Sequence, residues 1–459
     1  MSDLSQYKDK RIHFIGIGGC SMSGIAQILA NLGFTVGGSD MRESAFTDTL
    51  RSRGIPVVIG QNAENVEGAG LVVYTAAIKP TNPEFAAAKN AGIPMLERSK
   101  MLGLISEDYS DVVCVSGCHG KTTITSMLAR ITKDSGIDPT VHVGGMVDFL
   151  SGGVCLGHSD HFITEACEYV RSFLTLRPHH IILNNIDDDH LDYYKDIDEI
   201  IATFKSFINL LPPDGILFVN MDDANNRKAV EGFKGKIVTY SLSHSGAFHP
   251  DHITYDEVGC PSFDVMRGDE NMGRITLSVP GDHNIQNALA AAVLCLVVYQ
   301  IPIEFSAQEL VKYRLAGRRF QLMGERDGVK VFHDYAHHPT EIAACLASAK
   351  RYPHKKLWVV FQCNSFTRAR TLKDKYALAF ENADEVLVPD LYPGRDIDRG
   401  DIHATDLVKA IDANMHNCKY LPTFADIKEY LLANWQRGDI VVTLGSGDVN
   451  KQQMIFFQD

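Results

Sequence analysis

The chain lacks any apolar run approaching the roughly 18 residues that a membrane span needs, so it is not expected to insert into a bilayer. Its first ten residues have no apolar core of the kind a secretory signal carries. None of its ten cysteines stands in a C-x-x-C pair, which argues against a zinc ribbon or a thioredoxin-type centre. These absences together predict a cytoplasmic protein with reduced thiols. No block of lysine and arginine offsets a net charge of −13, so nucleic acid is not the expected partner. Low-complexity tracts and short internal repeats are also missing.

What is present is ordinary globular composition, 45% apolar and 22% charged. At about 100–200 residues per domain, 459 residues imply about three domains. Strand-like and helix-like patterns alternate with short connections, which predicts α/β blocks built on parallel sheets. The expected divisions are 1–107, 108–315 and 316–459. The first block reads as Rossmann-like, the second as a P-loop ATPase-type domain, and the third as a further Rossmann-like α/β domain. Strands are expected at 12–17, 112–115, 162–164, 181–183, 329–332, 357–361 and 440–444, among others. The segment 243–279 is richer in strand and turn signals.

Gly117-Cys-His-Gly-Lys-Thr-Thr123 follows one expected strand and opens a helix, the setting of a phosphate loop. Gly120 permits close backbone approach, Lys121 brings a mobile charge, and the Thr122 hydroxyl is placed to ligate Mg²⁺. Val115 stands where the full Walker pattern has its first glycine. Glu165 and His190 follow two further strands, on the same expected rim as Lys121. Hard oxygen donors there suit Mg²⁺ bridging the phosphates of ATP. Asp187 and Asp188 read as a solvated loop.

At the front, Gly16-Ile-Gly-Gly-Cys-Ser-Met-Ser-Gly24 leaves a strand and opens a helix, with Asp40 downstream. This pattern suits a bound diphosphate better than it suits NAD, because Ser21 occupies the third glycine position. In the third block, Asp334, His337 and His338 mark a polar site at a strand end, and adjacent histidines do not converge on one metal. Arg368 has the fork geometry for a carboxylate, whereas Arg370 reads as a surface residue. Arg318-Arg319 stands where an interdomain link would deliver charge to ATP.

These motifs, together with Asn82-Pro-Glu84, Glu165-Ala-Cys-Glu-Tyr169, Ser172-Phe-Leu174, Asp189-His-Leu-Asp192, His283-Asn and Asp334-Tyr-Ala-His-His-Pro-Thr-Glu341, resemble the Mur ligases nearly end to end. The Tyr335-Ala-His-His-Pro339 element is similar to that of the alanine-adding members. The resemblance implies an ATP-dependent amide ligase that joins L-alanine to the lactyl carboxylate of UDP-N-acetylmuramate through an acyl phosphate. It implies ATP contacts from Gly117, His119, Gly120, Lys121, Thr122, Thr123, Asn185, Asn284, Asn287, Arg319 and Asp334. It assigns Gly18, Ser21, Met22, Ser23, Asp40 and Ser172 to the UDP-sugar, and Tyr335, His337 and Arg368 to the amino acid. Mg²⁺ falls to Thr122, Glu165 and His190; Lys205 is a further candidate if carbamylated, but it reads first as a solvent lysine on an amphipathic helix. The catalytic group is then Lys121, Glu165, His190, His337 and Arg368, in a monomer or homodimer.

Cys118, Cys363-Asn364 and His333 depart from the family's usual residues. Cys118 makes the loop oxidation-sensitive if its place beside Lys121 lowers its pKa, and the others bear on amino-acid choice. Competing readings are a Mur-type ligase for another amino acid, an NAD(P)-dependent oxidoreductase and a non-catalytic nucleotide-binding regulator.

Overall fold

The computed structural model describes residues 3–150, 152–392, 394 and 397–458. Three sheets follow one another along the chain. The first contains β1 (Arg11–Ile15), β2 (Thr35–Asp40), β3 (Val57–Ile59), β4 (Ala69–Tyr74) and β5 (Met95–Glu97), in the order β3-β2-β1-β4-β5. All its pairings are parallel. The order reverses direction beside β1, and the glycine loop leaves β1 at that point, where open α/β sheets bind ligands.

The second sheet has ten strands: β6 (Asp111–Ser116), β7 (Thr140–Val147), β8 (Gly152–Cys155), β9 (His161–Ala166), β10 (His180–Leu183), β11 (Ile216–Asn220), β12 (Lys236–Tyr240), β13 (Phe248–Tyr255), β14 (Pro261–Arg267) and β15 (Glu270–Thr276). Their order is β15-β14-β13-β12-β11-β10-β6-β9-β7-β8. The middle of the sheet is parallel, as expected. The strand-rich stretch after 243 adds an antiparallel meander at one edge, and β7–β8 is antiparallel at the other.

The third sheet runs β16-β17-β21-β18-β19-β20, from β16 (Gln321–Arg326), β17 (Val329–Asp334), β18 (Leu357–Phe361), β19 (Glu385–Val388), β20 (Cys418–Tyr420) and β21 (Ile440–Leu444). Only β16 pairs antiparallel among its described strands. Strands β18 and β21 are buried along their whole length, which is why they read as unbroken apolar runs.

The hydrophobic cores decide how these parts are joined. One continuous cluster runs from Phe14, Ile28 and Leu71 of the first unit to Val112, Phe173 and Phe204 of the second. The third sheet has its own clusters on its two faces. Its seam with the second unit is mostly polar: Lys375 Nζ donates to Asp188 Oδ2 at 2.6 Å, and Thr340 Oγ1 donates to Asp187 Oδ2 at 2.6 Å. Among the described residues, no helix is long and apolar enough to cross a membrane.

Candidate active site

Strand β6 lies between β9 and β10, so the loop after it is flanked by Glu165 on one side and Asn184–His190 on the other. Gly117 and Gly120 have φ of 133° and 86°. A Cβ on Gly120 would stand 2.7 Å from both Asn184 Nδ2 and Asn287 Oδ1, so this position needs glycine for space as well as conformation. The helix Lys121–Lys133 starts immediately after it. The loop is fixed by asparagines: Asn185 Oδ1 accepts the His119 N–H at 2.7 Å, and the His119 carbonyl accepts from Asn184 Nδ2 at 3.0 Å and Asn185 Nδ2 at 3.1 Å.

Lys121 Nζ donates to Glu168 at 2.9 and 3.1 Å, and to the carbonyl of Cys118 at 3.0 Å. Burial disfavours its charge, but the Glu168 carboxylate more than compensates and holds the ammonium protonated. Glu168 is itself 1% exposed. Burial would raise its pKa; Lys121 and His190 pull it below the usual carboxylate range. His190 Nε2 lies 3.5 Å from Glu168 Oε1, and Glu168, Asp189 and His190 bring ligand atoms within 4.8 Å of one another. Glu165 takes a different place on the rim. Its Oε1 accepts the Gly144 N–H at 2.6 Å, and burial raises its pKa.

A cavity of about 590 Å³ opens between the second and third units. His119, Gly120, Thr123, Asn185, Asn284, Asn287, Arg319 and Asp334 all line it, so most of the expected ATP contacts converge on one nucleotide-sized space. Arg319 reaches in from the link into the third unit, with Glu341 3.7 Å away. Burial works against its charge, and Glu341 and Asp334 restore it. Its neighbours Arg318 and Phe320 have left-handed backbones, φ 68° and 38°, a strain that holds Arg319 at the cavity. Asp334 accepts the backbone N–H groups of Phe320 and Ala336, both at 2.7 Å.

The third unit supplies the remaining candidates. His337 Nδ1 is 3.1 Å from the Tyr335 carbonyl, and burial lowers the ring to about 4 despite Glu341. The Tyr335 ring carries Arg318 at 4.7 Å and Arg319 at 5.5 Å. Arg368 donates to Asn364 Oδ1 at 3.0 Å and faces Asp189 at 3.6 Å. At the first sheet, the Gly18 N–H donates to Asp40 Oδ2 at 2.9 Å, closing the glycine loop onto the end of β2. Ser21 is half-buried, with its hydroxyl bonded to Arg98 and beside His142.

Several expectations are corrected. Asp187 and Asp188 do not form a solvated loop, because the third unit docks on them; Asp187 also accepts from His119 Nε2 at 3.0 Å. Burial alone would lower the His119 imidazole, but Asp187 and Glu341 hold it up at about 10. Cys118 is buried rather than activated: burial and then Glu168 push its thiol well up, against the pull of Lys121. Lys205 is exposed on the outer face of the helix Ile197–Ile208, so the idea of a carbamylated ligand loses its setting. The Met22 and Ser23 side chains are buried at 3% and 1%, which leaves backbone to meet a ligand there. The Ser172 hydroxyl is taken by the Tyr169 carbonyl at 2.7 Å. His333 is fully buried between Arg318 and Thr443, away from solvent.

Sequence reasoning missed Glu168, Glu341, Asn184 and His142. The first two stood inside quoted motifs, but only the fold shows that Glu168 meets Lys121 and that Glu341 meets His119 and His337.

Residues 11–110 match the family model described as the Mur ligase catalytic domain, 115–295 the Mur ligase middle domain, and 318–447 the Mur ligase glutamate ligase domain. The chain is 44% identical to the UDP-N-acetylmuramate–L-alanine ligase of Acetivibrio thermocellus, with 100% of this chain and 98% of that one covered. It is 43% identical to the enzyme of the same name from Alkaliphilus metalliredigens, with 97% of each covered. Among solved structures, the UDP-N-acetylmuramate-alanine ligase of Thermotoga maritima superposes with a TM-score of 0.79 at 24% identity over 98% of both chains, a likeness of fold. With all three domain types matched in order and near-complete relatives above 40% identity, this chain belongs to the Mur ligase family.

Proposed function

We propose that the chain is an ATP-dependent ligase that joins L-alanine to the lactyl carboxylate of UDP-N-acetylmuramate, in cytoplasmic synthesis of peptidoglycan precursors. In this reading 1–107 binds the UDP-sugar, 108–315 binds ATP and 316–459 brings the amino acid. The observation that carries it is the nucleotide-sized cavity walled by a phosphate loop on one side and by Arg319 and Asp334 on the other, in a chain whose full length aligns with alanine-adding relatives. The enzyme acts on small molecules, without nucleic acid or membrane insertion, as a monomer or homodimer.

A carboxylate resists attack by an amine, so it is first activated. Its oxygen attacks the γ-phosphorus of ATP, ADP leaves, and an acyl phosphate forms. The alanine amine then attacks the acyl carbon, and the C–O bond to phosphate breaks to leave an amide. Both steps build negative charge, which fixed positive groups stabilise in a water-poor site. Lys121, at the helix start behind the phosphate loop, and Arg319, which lines the cavity from the third unit, are those groups. Asn185, Asn284, Asn287 and Asp334 hold the adenosine. Arg368 takes the alanine carboxylate, beside Tyr335, while a neutral His337 adds no repulsion against the incoming ammonium. Gly18, the backbone at Ser21–Ser23 and Asp40 hold the UDP-sugar.

Thr122, Glu165 and His190 would hold Mg²⁺, and the donor chemistry suits it: His190 lies with the carboxylates of Glu168 and Asp189 in a cluster whose ligand atoms fall within 4.8 Å of one another. When bound, it neutralises phosphate charge.

Phosphate release measured with MgATP, UDP-N-acetylmuramate and a panel of amino acids tests this function. Release is expected with L-alanine. Absence of release with L-alanine, glycine and L-serine alike would sink the assignment.

A further inference from the structure

The glycine loop of the first unit is tied to the second sheet through one buried side chain, His142 on β7. Its Nε2 lies 3.2 Å from Ser21 Oγ, and its Nδ1 lies 3.2 Å from Thr164 Oγ1 on β9. Ser21 Oγ accepts from Arg98 Nη1 at 3.1 Å. Nε2 also lies 3.3 Å from the Ser21 carbonyl, so the ring meets both the hydroxyl and the backbone of Ser21. Burial, followed by the charge of Arg98, lowers His142 to about 4, so the ring stays neutral.

Two further features show that this contact is built in. Gly24, in the helix Cys20–Asn31, faces the ring: a Cβ there would stand 2.9 Å from His142 Cδ2. Only a glycine lets the helix approach so closely. Ser21 occupies the position where the dinucleotide fingerprint has its third glycine, and its hydroxyl is the group that meets both His142 and Arg98. Strand β7 also holds the phosphoryl-transfer rim, because the Gly144 N–H, two residues after His142, donates to Glu165.

We propose that His142 is a positioning residue, which through Ser21 sets the UDP-sugar loop relative to the Glu165 rim so that the sugar acid meets the γ-phosphate. The inference rests on the ligase reading above. Its prediction concerns the sugar nucleotide selectively, because the hydrogen-bond partners of His142 are Ser21 and Thr164, neither of which lines the nucleotide cavity.

The test is calorimetric binding of UDP-N-acetylmuramate and, separately, of MgADP to the full chain. His142→Ala and Ser21→Ala are each expected to weaken the sugar nucleotide about tenfold, as loss of one buried hydrogen bond does, and to leave MgADP unchanged. The double variant is expected to lose no more than either single one. His142→Gln, which keeps an acceptor toward Ser21, is expected to restore most of the affinity. If His142→Ala does not fold, Ser21→Ala in the wild-type and His142→Gln backgrounds decides the same point. Unchanged sugar-nucleotide affinity, equal losses for both ligands, or additive losses in the double variant would overturn the proposal. Failure of the wild-type chain to bind UDP-N-acetylmuramate would instead overturn the ligase reading.

Discussion

Lys121 Nζ donates to both carboxylate oxygens of Glu168, at 2.9 and 3.1 Å, so the phosphate-loop cation has a buried acidic partner of its own. Phosphate must compete for a charge that is held in place rather than free in solvent. The pairing keeps a buried ammonium protonated and aimed, at the cost of an acidic neighbour beside the incoming anion. Removing Lys121 leaves Glu168 buried and partly unpaired as well as removing the phosphate contact. Lys121→Ala is therefore expected to lower kcat by about 10²–10³-fold or more, the usual cost of losing one transition-state donor. Phosphate release assays, with circular dichroism as a fold control, check this; a folded variant with near-normal kcat would misplace the ATP site.

Arg319 is the charge that the third unit contributes to the cavity. Arg319→Ala is expected to lower kcat by about 10²-fold or more while leaving UDP-N-acetylmuramate affinity within about twofold. Arg319→Lys is expected to recover little, because an ammonium lacks the planar fork that lies between Tyr335 and Glu341. Steady-state kinetics with each substrate varied in turn separates the two effects.

His119 couples pH to stability. Its folded pKa, about 10, lies above the ordinary 6.5 because Asp187 and Glu341 outweigh burial. A raised pKa means that the folded state holds the proton more tightly than the unfolded one. The contribution is therefore complete below about pH 6.5 and disappears as pH rises through about 10. Urea unfolding between pH 6.5 and 10.5 is expected to show wild type losing stability relative to His119→Asn, with a slope approaching about 1.4 kcal/mol per pH unit for one proton. Parallel curves for the two proteins would contradict the charged imidazole.

Cys118 stands in the phosphate loop and is nonetheless expected to be inert. Its Sγ donates to the Asp187 carbonyl at 3.4 Å and accepts the Asp187 N–H at 3.2 Å, inside a buried turn. Iodoacetamide labelling of the native chain near pH 8, read by mass spectrometry, is expected to leave Cys118 unmodified until the protein is unfolded. Rapid labelling in the native state would show that the loop opens or that the thiol is acidic.

Much of the frame was legible because it is local. The runs 357–361 and 440–444 are buried on both faces and coincide with β18 and β21. The phosphate loop announced itself by strand, glycine, lysine and helix in sequence. What escaped depends on chain segments far apart. Asp187 looked solvated because Thr340, which bonds it, lies 153 residues away. Cys118 looked activated because Lys121 is near in sequence, whereas Glu168 and burial, which reverse the effect, come with the fold. His142 sits in an unremarked strand, and only the packing of Gly24 against it discloses its partners. Lys205 is a metal candidate by resemblance alone, and helix phase turns it to solvent.

The central claim is that the sugar carboxylate is activated by phosphorylation before the amide forms, and oxygen transfer tests it most directly. UDP-N-acetylmuramate labelled with ¹⁸O in the lactyl carboxylate is incubated with MgATP, L-alanine and the enzyme, and the released phosphate is analysed by mass spectrometry. The account predicts one ¹⁸O in each phosphate, carried over when the acyl C–O bond breaks. Amide formed with unlabelled phosphate, the lost ¹⁸O appearing in water instead, would contradict it.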